Sequence, residues 1–146
     1  MFRFRLESVL NARKAFEDTL LREFSEKKRE LEREVGLLEA LKEERRASIE
    51  CLREMHDREV TAADIGMYVS YIEFLHGRVD RQQAVVSKAQ DVLEVKRQEV
   101  LEAVKKRKML ENLKQRQRRE YEINFELRER KVLDEISLQS FSRRAL

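Results

Sequence analysis

The sequence has no proline, no tryptophan and only three glycines in 146 residues. Little in it would interrupt a helix, because proline and glycine are the strongest local breakers. A single cysteine, Cys51, excludes an intrachain disulfide and suits a reducing compartment. No apolar run approaches the roughly 18 residues of a membrane span. The opening residues lack the apolar segment of a secretory signal. Glu7, Glu17 and Asp18 come too early for an organellar presequence, which is poor in acids. No Gly-rich phosphate loop and no nucleophile elbow occurs, so phosphate-cradling and serine-hydrolase chemistry have no foothold.

What is present is charge. Charged residues make up 42% of the chain, against roughly a quarter in an ordinary globule. The 32 basic and 29 acidic residues leave a net charge of only +3, so position matters more than balance. A chain rich in Glu, Lys, Arg, Leu and Ala reads as long helix or coiled coil. Disorder competes with that reading, but the 41% hydrophobic fraction is enough to bury a face. The apolar residues come in narrow stripes, which suit a seam better than a wide core.

The stripes are helical. Leu6, Val9, Leu10, Phe16, Leu20 and Phe24 fall at spacings near three and four. Leu31, Val35, Leu38, Ile49, Leu52 and Met55 continue the pattern, with Lys42 and Arg45 as polar interruptions. So narrow a stripe is a coiled-coil seam. The pattern breaks near residue 60. Thr61 is a good N-cap, with Asp64 three residues on in the manner of a capping box. A second seam follows through Ile65, Tyr68, Ile72, Leu75, Val79, Val86, Ala89, Leu93, Val100, Ala103 and Leu110. Gln82, Lys96 and Arg107 are its only polar members. It outlasts the three or four heptads that already argue for a coiled coil.

A short turn makes two long helices antiparallel neighbours. The expected fold class is all-α: two long helices in an antiparallel coiled-coil hairpin, the second longer. One domain spans residues 1–146, with a helix at 5–59, a turn at 60–64 and a helix at 65–141. A turn centred near residue 62 makes facing numbers total about 124, pairing Leu38 with Val86 and Leu31 with Leu93. Leu6 then falls near Arg118, and residues from about 119 to 141 have no intrachain partner. That overhang is roughly 30 Å long at ~1.5 Å per residue. It carries Tyr121, Ile123, Phe125, Leu127, Leu133 and Ile136, an apolar stripe that frays without a partner.

Chemistry is hard to place on two helices, which enclose no pocket to desolvate a substrate. The expectation is no enzyme, no cofactor and no metal. His56 and His76, with Asp57 and Glu59 nearby, form the sole metal candidate; polar residues near an exposed hairpin tip are the simpler reading. From Lys105 to Arg119 there are eight basic residues and one acid, Glu111. Such a run suits phosphate or an acidic protein surface. No aromatic platform or nucleic-acid reading fold accompanies it, so an acidic protein cleft is expected and nucleic acid is not.

The opening MFRFRLESVLNAR resembles the start of the flagellar export protein FliJ family, whose members often begin F-x-F-x-L-x-x-V-L-x-x-R. Here those positions are Phe2, Phe4, Leu6, Val9, Leu10 and Arg13. The stretch from Tyr68 to Val79 is similar to the family's helix after the turn, and Arg130 to Glu135 also fits. The resemblance implies a non-enzymatic central stalk of the flagellar type III export apparatus, cytoplasmic and peripheral at the inner face of the membrane. It implies three partners: the export ATPase ring, the cytoplasmic part of a membrane export gate, and export chaperones. The chain alone is expected to be a monomer.

The same resemblance sorts residues along the chain. The ring-facing end is the one formed by both termini: Phe2, Arg3, Phe4, Arg5, Arg13, Arg116, Arg118, Arg119, Tyr121 and Phe125. The gate-facing surface lies toward the turn: Leu37, Leu41, Tyr71, Leu75 and Arg78. Arg78 departs from the small residue some relatives place there, and Leu75 also belongs to the seam. Two rival readings remain at this point: a generic scaffolding coiled coil, and the stalk of a virulence-type injectisome.

Overall fold

The computed structural model describes residues 1–145 and shows two helices packed against each other as an all-α hairpin. Helix α1 runs Glu7–Met55, 49 residues, and α2 runs Ala62–Arg144, 83 residues. No strand occurs among the described residues.

The helix limits differ from expectation, for local reasons. α1 ends at Met55, not at 59, because the chain tightens there. The amides of His56, Asp57 and Arg58 donate to the carbonyls of Arg53, Glu54 and Met55, each three residues back. α2 starts at Ala62, not at 65, because Thr61 caps it directly. The Thr61 hydroxyl oxygen accepts the Asp64 amide at 3.3 Å, and the hydroxyl donates to the Asp64 carboxylate at 2.6 Å. α2 continues past 141 to Arg144.

Contacts divide the chain into two compact units: Asp18–Leu101, and Met1–Glu17 together with Glu102–Leu146. In the first, Leu38, Leu41, Leu75, Val79 and Val86 form the buried cluster, with Leu31 and Val35 packed on it. Leu75 has no exposure at all. Burying such a side chain is worth about 1.5–3 kcal/mol. Lys42 is exposed and Leu41 takes its place in the seam. On α2 every expected seam position is buried or half-buried, polar ones included.

Gln82 donates to the Glu34 carbonyl at 3.0 Å and to its carboxylate. Lys96 reaches Glu23 at 2.6 Å and Glu99 at 3.0 Å. Hydrogen bonds to these two carboxylates hold the Lys96 ammonium above its ordinary pKa. Tyr71 donates to Glu44, and Arg45 meets His76 Nδ1 at 3.1 Å. The facing numbers of these four pairs total between 115 and 121, roughly one heptad short of the expected 124. The turn lies between Met55 and Ala62, closer to α1 than expected. A slide of one heptad presents the same faces to each other, so the apolar pattern fits both registers equally.

In the second unit Glu17, Leu10 and Ala103 are buried. Phe16, an expected seam residue, is 53% exposed, and Glu17 occupies the seam instead. Arg107 donates to Glu17 at 2.5 Å and to Glu111 at 2.7 Å. Lys114 pairs with Glu7 at 2.8 Å, and Lys14 with Glu111 at 3.8 Å. Here the facing numbers total between 121 and 125, close to expectation. All three polar residues of the α2 seam therefore meet a glutamate of α1. A half-buried charge left alone would cost far more than it returns when paired.

Candidate functional site

Two groups of side chains stand out, one in each unit. The first is built by the residues before α1. The Glu7 amide donates to the Phe4 carbonyl at 3.3 Å, which turns the chain into the helix. That turn places Phe4 inside, 6% exposed, and Phe2 half-buried. The Phe2 ring lies against Tyr121 of α2 with centroids 5.8 Å apart and planes tilted by 50°. Tyr121 in turn stacks on Phe125 at 6.4 Å. Both separations are in the attractive range for ring pairs. Phe2, Tyr121 and Phe125 thus form a row of rings leading onto the far part of α2.

Charge surrounds the row. Arg3 and Arg5 are exposed and, with Phe4 and Glu7, line a shallow groove. Arg13 is half-buried on the seam side of α1. Arg116 and Arg118 are partly neutralised by Glu120 and Glu122 one turn on, at 4.0 and 3.0 Å. Arg3, Arg5, Arg13 and Arg119 make no ion pair among the described residues. From Tyr121 to Ala145 every residue is exposed. The apolar ones include Ile123, Val132, Leu133, Ile136 and Phe141, each at least half exposed. An open groove along this stretch is lined by Tyr121, Phe125, Arg128, Glu129, Val132 and Leu133. The arrangement offers apolar anchors beside unpaired guanidinium groups, which suits docking to an acidic, apolar-floored surface.

The second group lies on the turn side of the unit Asp18–Leu101. Of the five residues expected at a gate-facing surface, Leu41 is 5% exposed and Leu75 0%. Both belong to the buried cluster. Leu37, Tyr71 and Arg78 are exposed. The Tyr71 hydroxyl donates to Glu44, and this bond to a carboxylate pushes the Tyr71 pKa up. Tyr71 stacks on Phe74 at 6.3 Å, and the Arg78 guanidinium sits 5.9 Å from the Phe74 ring centre. Phe74 was missed by sequence reasoning. Its signal was present: it lies three residues after Tyr71 and four before Arg78, on their face of the helix.

Cys51 is exposed, and no group of three or more metal-ligating side chains occurs among the described residues. No helix among the described residues is long and apolar enough to cross a membrane. Searches of curated proteins and of solved structures found no match. Comparison with known protein families matches residues 1–146, the whole chain, to the family described as Flagellar FliJ protein. The ring-bearing opening, the capped turn and the two seams thus occur in a chain that belongs to the flagellar FliJ family, and it is a flagellar export-related protein.

Proposed function

We propose that the chain is a non-enzymatic, stalk-like part of the flagellar type III export apparatus, held at the cytoplasmic face of the membrane. Its terminal end docks into the export ATPase ring and promotes assembly and ATP hydrolysis there. Its turn half contacts the cytoplasmic part of the export gate and, on the same exposed helix faces, export chaperones. Family membership supports the setting. The observation that carries the ring-docking role is the row Phe2, Tyr121 and Phe125, flanked by the unpaired Arg3, Arg5 and Arg119 and continued by an exposed apolar helix. Apolar side chains left out in this number on one segment mark an interaction site.

The gate contact is proposed for Leu37, Tyr71 and Arg78 at the surface, with Leu41 and Leu75 supporting them from beneath. The direct test adds the purified chain to the cognate export ATPase. Hexamer formation and ATP hydrolysis should both rise; no change in either removes the ring-stalk role. Injectisome ATPase in place of the flagellar one is the control: an equal or larger response there would favour the virulence-type system.

A further inference from the structure

α2 carries a second heptad stripe, which α1 does not cover. Met67, Tyr71, Phe74, Val85, Val92 and Val95 are all exposed, from 40% to 73%. The gaps in this series are filled by Arg78, Arg81 and Lys88, also exposed. Together these nine positions follow a strict alternation of four and three residues through four heptads, about 42 Å of helix. The buried seam of α2 has the same period, one residue out of step: Ile72, Leu75, Val79, Gln82 and Val86. A scattered exposed valine needs no explanation, but apolar residues kept in heptad phase over four heptads are what a partner helix reads.

The charges on the stripe specify that helix. No position of it is acidic. Arg78, Arg81 and Lys88 make no ion pair among the described residues, although Lys96 on the buried seam has two. The buried seam shows how this chain seats a basic seam residue: a glutamate from the facing helix meets it. We propose that this stripe is the seat of a third helix, an amphipathic acidic segment of a partner protein, packed along α2 from Met67 to Val95 with carboxylates opposite Arg78, Arg81 and Lys88. The inference rests on the gate-facing reading of Tyr71 and Arg78. It extends that contact from a patch near the turn to a helix-length seam.

The test uses the full chain and two probes. One is a designed amphipathic helical peptide with leucine seam positions and glutamate flanks, compared with its lysine-flanked counterpart. The other is the cytoplasmic part of the cognate export gate. The glutamate peptide should bind at least tenfold tighter than the lysine peptide. Val85→Ser with Val92→Ser should weaken both the glutamate peptide and the gate part by at least tenfold, while helix content by circular dichroism stays unchanged. Arg81→Glu with Lys88→Glu should invert the peptide preference. Equal binding of the two peptides, or binding indifferent to the valine substitutions, overturns the seam. A shift to twice the monomer mass in sedimentation, abolished by the valine substitutions, would give the seam to a second copy and likewise overturn it. If Tyr71→Ala with Arg78→Ala weakens gate binding while the valine pair does not, the gate reading stands and the helix-length seam falls. If neither affects gate binding, the gate reading falls and the peptide comparison alone decides the seam.

Discussion

Phe2 and Phe4 sit two residues apart, yet the fold gives them different work. Phe4 is buried, and its removal leaves a hole; Phe4→Ala should cost about 3–5 kcal/mol in denaturant unfolding. Phe2 is half-buried, and its ring faces Tyr121 at the start of the exposed stretch. Phe2→Ala should leave stability nearly unchanged and weaken ATPase binding severalfold. If the two substitutions gave the reverse pattern, Phe2 would be end packing and no more. Leu75 gives a stability reference: with no exposure, Leu75→Ala should cost about 2–5 kcal/mol.

Tyr71 makes a residue-scale prediction about pH. Its folded pKa is raised by the hydrogen bond to Glu44, with burial adding in the same direction. The contribution to stability is therefore complete below the unfolded pKa of about 10 and is lost as pH rises through the higher folded value. In an ultraviolet titration the Tyr71 phenol should ionise above the ordinary range. Glu44→Gln should bring it back toward that range. A titration unchanged by Glu44→Gln would mean that the bond is not kept in solution.

At the scale of the element, helix identity was legible throughout and register only in the unit that holds the termini. The absence of proline, the 3–4 spacing and the Thr61–Asp64 pair were enough to locate two helices and the capped start of the second. The α2 seam could be read residue by residue, because its polar members recur at seam spacing and so announce themselves. The α1 seam was harder. Phe16 and Lys42 lie beside Glu17 and Leu41, and hydropathy alone favours placing Phe16 inside; Glu17 goes inside because Arg107 meets it there. Register in the turn unit was misplaced by about one heptad, since a heptad slide exchanges like for like. The polar pairs, Gln82 with Glu34 and Tyr71 with Glu44 among them, distinguish the two. Leu75 entered the expected gate surface through the family resemblance alone; the heptad spacing had already put it in the seam, and it is buried there.

Two element-scale predictions follow from this. Thr61→Ala removes the α2 cap and should cost about 1 kcal/mol, measured by denaturant unfolding. A chain ending at residue 119 should keep a cooperative unfolding transition and lose ATPase binding, because every residue from Tyr121 to Ala145 is exposed. A truncated chain that fails to fold would show instead that the overhang stabilises the hairpin.

At the scale of the whole molecule, the proposed docking is separated by position along the chain: terminal unit to the ATPase, turn unit to the gate. As a stalk the free chain should be a monomer, with a sedimentation mass near 17.6 kDa. The separation is open to one direct measurement. A photo-reactive residue is placed at position 125, or at position 71, and the chain is irradiated with the assembled cognate ATPase hexamer and ATP. Cross-links to the ATPase are expected from position 125 and none from position 71. Cross-links from position 71 alone, or from neither, would contradict that separation.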